Sequence, residues 1–138
     1  MGGLGWLFKH EREKRLQIEK QLSDKKYSVY KLFIDLYFDM FRTVQEGKNI
    51  DIKKIAPKLI EIKRDLLIYG GDKVVKTFLD WQISTFTNDQ SLKPFTEILI
   101  EMRKDMGYPR TSITSDLFLK SLMKNKEEYQ TLKKQGVI

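Results

Sequence analysis

Between Tyr27 and Val44 this sequence leaves almost nothing polar for a helix to show to water. Tyr27, Val29, Tyr30, Leu32, Phe33, Ile34, Leu36, Tyr37, Phe38, Met40, Phe41 and Val44 surround a narrow strip of Lys31, Asp35, Asp39 and Arg42 at helical spacing. A helix that is apolar nearly all round has to be enclosed by neighbours, so this segment is expected to be the axis of a helical bundle. Asp35 and Asp39 lie on that axis. They are expected to be buried carboxylates paired with cations of a neighbouring helix, with Lys63, Arg64 and Arg103 as candidates.

A chain of 138 residues, 41% hydrophobic and 12% aromatic, can bury one good core and is too short for two ordinary domains. The absence of cysteine removes disulfides, thiolate zinc sites and cysteine nucleophiles together, and agrees with a reducing compartment. The net charge of +7 is unevenly placed. Residues 1–31 hold eight Lys/Arg against four Asp/Glu, residues 120–138 hold five against two, and residues 32–119 hold thirteen of each. The basic excess therefore sits at the two ends, as a handle for anionic surfaces.

The amino end, Met-Gly-Gly-Leu-Gly-Trp-Leu-Phe, is apolar for only eight residues. A membrane-spanning helix needs about twenty, and neither a secretory leader nor a myristoylation motif is complete here. Trp6, Leu7 and Phe8 followed at once by Lys9, His10, Arg12, Lys14 and Arg15 nevertheless have the order found where a helix leaves a bilayer on its cytoplasmic side. From His10 to Lys26 a charged helical stalk is expected, with i,i+4 pairs Glu11–Arg15, Arg15–Glu19 and Lys20–Asp24. Ile18 and Leu22, continued by Val29, Leu32 and Leu36 past a break at Lys25, form an interrupted heptad through which the chain could self-associate.

The stripe Ile52, Ile55, Leu59, Ile62, Leu66 and Tyr69 predicts a second helix, starting near Ala56 with Pro57 in its first turn. Gly70 and Gly71 end it, and Asp72 is expected to cap a third helix carrying Val74, Val75, Phe78, Leu79, Trp81 and Ile83. A turn over Asn88 to Ser91 precedes a helix opened by Pro94, with Phe95, Ile98, Leu99, Met102 and Met106 on its core face. Gly107 and Pro109 stop it. Thr114 is expected to cap a short helix docked by Leu117, Phe118, Leu122 and Met123, and Asn125 to separate that helix from a basic tail with Tyr129 and Leu132.

Few residues carry chemistry. The single histidine, His10, lies in the stalk, so histidine-based triads and Glu-x-x-His di-metal sites are missing. Glu97, Glu101 and Asp105 share a helix face, but adjoining Arg103 and Lys104 favour a solvated surface over a cation site. Gly70-Gly71-Asp72-Lys73 lacks the rest of a phosphate loop. Nucleic acid is disfavoured because the aromatics belong to core stripes and the central charge is balanced. No cofactor is expected.

At Leu66–Phe78 (Leu-Leu-Ile-Tyr-Gly-Gly-Asp-Lys-Val-Val-Lys-Thr-Phe) and at Ile100–Tyr108 (Ile-Glu-Met-Arg-Lys-Asp-Met-Gly-Tyr) the chain resembles a group of bacterial proteins of uncharacterised activity. The resemblance spans roughly residues 10–123. It implies an N-terminal membrane helix, a charged stalk and a compact cytoplasmic helical domain, of which this chain retains only Gly5-Trp6-Leu7-Phe8 where the membrane helix would end. The expectation is thus an all-α protein, a single bundle of about five or six helices with an extended charged N-terminal helix. Residues 1–26 form tip and stalk, 27–123 the bundle and 124–138 a basic tail. The expected function is non-enzymatic, at the inner face of a bacterial membrane, with a protein partner or a second copy bound. A soluble regulatory or nucleic-acid-associated protein comes second, and a carboxylate-dependent metal enzyme third.

Overall fold

The computed structural model describes residues 2–84, 92–136 and 138. Their regular structure is wholly helical: α1 (Gly2–Gln45), α2 (Ile52–Tyr69), α3 (Asp72–Ser84), α4 (Leu92–Asp105), α5 (Ser115–Leu122) and α6 (Lys126–Lys134). The protein is an all-α bundle with one helix far longer than the rest. The turn expected over Asn88 to Ser91 lies outside the described residues.

α1 runs unbroken for 44 residues, about 66 Å at the helical rise. Only its second half is packed. Val29, Tyr30, Phe33, Leu36, Tyr37 and Phe41 are buried, while Tyr27, Leu32 and Phe38 remain exposed. The fully enclosed axis read from the sequence is therefore corrected: α2 and α4 cover one side of α1 and leave the other to water. Asp35 and Asp39 fall at the open margin beside α2 and are exposed. Among the described residues, the Asp39 carboxylate pairs with Arg42 of its own helix, at a solvated 3.7 Å. Arg64 is taken by Asp65, and Arg103 by Tyr108 and Thr111.

The core is an aromatic cluster filled from four helices. Phe33 meets Phe95 and Phe78 edge-on at 4.8 and 5.9 Å, and Trp81 lies on Phe95 at 4.6 Å. Offset and edge-on contacts of this kind add to the burial energy. One polar pair is enclosed with them. Tyr37 and Thr96 Oγ1 are 2.8 Å apart, and Thr96 gives its own proton to the Leu92 carbonyl, so the Tyr37 hydroxyl is the donor to Thr96.

Helix ends differ from the sequence expectations in two places. α2 starts at Ile52, a turn earlier than expected, because the Asp51 carboxylate accepts the Lys53 N–H and holds the first turn closed. Pro57 is thus inside the helix, where its missing N–H leaves the Lys53 carbonyl without a helical donor. Asp72 is the first residue of α3 rather than its cap, since the Gly71 carbonyl accepts the first helical bond from Val75. Its carboxylate still faces the positive helix end. α4 closes with Tyr108 N–H on the Arg103 carbonyl and Gly107 N–H on Lys104, with Gly107 at φ +121°, a conformation that side chains strain. Thr114 accepts the Leu117 N–H at the start of α5, and Asn125 the Glu128 N–H at the start of α6. Ile52, Ile83, Met106 and Leu117, read as core contacts, are exposed, whereas Leu119 is buried.

Candidate functional site

Two features stand out at the base and along the length of α1. The first is a bare stalk. Residues 3–25 are exposed throughout, so the helix projects roughly 35 Å beyond the bundle with no neighbour packed on it among the described residues. At its tip Leu4, Trp6, Leu7 and Phe8 are 71%, 63%, 51% and 69% exposed. The Trp6 ring stacks on His10 at 5.4 Å, and Lys9, Arg12, Lys14 and Arg15 are exposed immediately behind. The expected Glu11–Arg15, Arg15–Glu19 and Lys20–Asp24 pairs are not among the ion pairs of the described residues, because hydrated charges gain little by closing. Further along, Leu16, Ile18 and Leu22 are about half exposed. Isolated helices depend on an apolar face finding cover, so this stalk has the surface of an element made to be covered.

The second feature is a clasp at the stalk's base. The Gly71 N–H donates to Tyr30 Oη at 2.9 Å, and the Tyr30 hydroxyl donates to Asp105 Oδ2 at 2.6 Å. Lys26 Nζ lies 3.0 Å from the same carboxylate oxygen, with both side chains about a quarter exposed. Lys26 is the first half-buried residue of α1, so the clasp marks where stalk becomes bundle. Burial, then the bond to Asp105, pushes the Tyr30 phenol well above its ordinary range. Tyr30 is therefore a proton donor to the carboxylate and is held out of use as a base.

Sequence reasoning missed this contact. Tyr30 read as one more apolar residue, and Asp105 as the end of a solvated row with Glu97 and Glu101. A signal was present. Asp105 ends α4, where the helix dipole disfavours a negative charge, so a carboxylate there needs donors from elsewhere. The row itself splits, Glu101 turning to Lys104 at 3.1 Å.

The remaining candidates do not converge. Asp35, Asp39 and Glu61 line an open groove of about 210 Å³ between α1 and α2, together with Lys58, Leu32, Leu36 and Ile62. Glu101 is not part of it. Among the described residues no three of His, Asp and Glu stand where they could hold a metal ion. Gly71 spends its N–H on Tyr30, so the glycine turn offers no open anion cradle there. In the tail, Tyr129 lies between Lys120 and Lys133 at 5.2 and 5.7 Å. No helix of the described residues is long and apolar enough to cross a membrane. Comparison with protein-family models, with curated proteins and with solved structures finds no match.

Proposed function

We propose that this chain is a non-enzymatic helical module that works at the inner face of a membrane and engages a protein partner or a second copy of itself. The observation that carries the reading is the tip of α1, where four large apolar side chains are exposed directly ahead of four cationic ones. Trp6, Leu7 and Phe8 suit shallow insertion at the headgroup boundary, and Lys9, Arg12, Lys14 and Arg15 suit anionic headgroups. Three apolar residues give only weak insertion, so charge and burial have to act together. The clasp would then transmit the orientation of the stalk to the bundle.

Co-sedimentation with vesicles tests this. The full chain should pellet with vesicles of mixed anionic and neutral phospholipid and largely stay in solution with neutral ones, losing part of the binding at high salt. Trp6→Ser with Leu7→Ser should abolish the salt-resistant part. Equal recovery of wild type and variant in the supernatant with both vesicle types would overturn the membrane half of the reading.

A further inference from the structure

The bare stalk is self-complementary about its own centre. Leu4, Phe8, Glu11, Arg15, Ile18 and Leu22 follow one another at spacings of 4, 3, 4, 3 and 4 and share one face of α1, all of them exposed. Read from either end the face runs apolar, apolar, charged, charged, apolar, apolar, with acid on one side of the centre and base on the other. These are the core positions of a two-stranded coiled coil. The same face continues through Lys25 into Val29, Leu32 and Leu36, of which the bundle buries Val29 and Leu36 and leaves Leu32 half exposed.

We infer that the stalk pairs with the stalk of a second copy in antiparallel register, residue x of one copy level with residue 26 minus x of the other. Leu4 then meets the other copy's Leu22, Phe8 meets Ile18, and Glu11 meets Arg15, each twice by symmetry. Direction follows from charge. A parallel pair would stack Glu11 on Glu11, Arg15 on Arg15 and Lys25 on Lys25, whereas the antiparallel register turns the two central layers into ion pairs. Length agrees. The register sets Leu4 level with Leu22, so the paired faces lie within the exposed residues 3–25 and short of Lys26, where the bundle begins, and the two bundles lie at opposite ends. Arg12 and Lys14 face their own copies near the centre, which holds the affinity to a moderate range. Trp6, Lys9 and Lys20 lie outside the seam.

This inference rests on the self-association half of the function proposed above and is independent of its membrane half, since it is tested without lipid. Light scattering on the full chain from about 1 to about 500 micromolar should show a monomer passing to a dimer at tens of micromolar. Ile18→Asp should weaken association about tenfold or more, with an unchanged thermal transition of the bundle as control. Glu11→Arg should weaken it too, and Glu11→Arg combined with Arg15→Glu should restore it. The chain has no cysteine, so Glu13→Cys and Ser23→Cys each accept a single spin label. Labels at 13 should sit at the same height along the dimer, and labels at 23 about 30 Å apart along its axis. A monomer at every concentration, equal separations at both sites, or a dimer indifferent to Ile18→Asp would each overturn the inference.

Discussion

Replacing Gly71 by alanine places a methyl group where the Asp105 carboxylate now lies. A Cβ built there falls 2.5 Å from Oδ1, 2.7 Å from Cγ and 2.8 Å from Oδ2, well inside contact distance. The backbone of α3 cannot yield, because the Gly71 carbonyl holds its first helical bond. Asp105 has to swing away, and it leaves two partners. The Tyr30 bond, to a charged acceptor, is worth about 1.5–3 kcal/mol. The Lys26 pair is partly solvated and adds at most about 0.5–1 kcal/mol. With about 0.5 kcal/mol for alanine at a helix cap, Gly71→Ala should destabilise the bundle by about 2.5–4.5 kcal/mol. In an Asp105→Ala background the obstruction is gone, and the same substitution should cost only about 0.5 kcal/mol. Urea unfolding followed by far-ultraviolet circular dichroism on the four proteins closes the cycle, with an expected coupling of about 2–4 kcal/mol. Equal costs in the two backgrounds would refute the close approach of Gly71 to Asp105 and, with it, the clasp.

Three further outcomes are expected. Phe33→Ala should cost about 3–5 kcal/mol in urea unfolding, because Phe33 is fully enclosed between Phe78 and Phe95, whereas half-open Phe38→Ala should cost about 1–2 kcal/mol. Pro57→Ala should raise stability by about 1–2 kcal/mol, since it restores the N–H that the Lys53 carbonyl lacks at an exposed position, and a loss in the same assay would argue against a continuous α2. The raised pKa values of Tyr30 and Tyr37 set an alkaline limit. Below the unfolded value of about 10 both states keep the phenolic protons and the contribution is complete; above it the unfolded chain alone ionises, so stability falls as pH rises toward the folded values. Unfolding free energy should therefore be level between neutrality and about pH 9 and decline above about pH 10, with a shallower decline in Tyr30→Phe.

The helical class, the order of the helices and most of their stops follow from short-range rules. Gly107 with Pro109, Thr114 and Asn125 mark ends whose hydrogen bonds involve only residues a few positions away, so local sequence suffices to place them. Pro57 points to a start of α2 near Ala56, but the cap at Asp51 outweighs the local penalty of Pro57 and starts the helix at Ile52. Which side of α1 is covered is not a local matter. Phe33 and Phe38, or Leu36 and Leu32, are chemically alike in the sequence, and only the arrival of α2 and α4 on one side separates core from surface. The same holds for Asp35 and Asp39, whose neighbours along the helix gave no sign that their side would stay open to water.

The sequence by itself determined the helical class and most helix ends, the charge at the two ends and the spacing of the stalk's apolar and charged residues, since each is a property of nearby positions in the chain. The tertiary structure decided that the stalk is left uncovered from residue 3 to residue 25 and that Lys26, Tyr30, Gly71 and Asp105 meet at its base. Those four residues come from two helices, α1 and α4, and from the turn between α2 and α3. A contact between positions 75 apart depends on how helices dock, and docking is governed by the shape of whole faces rather than by any local pattern.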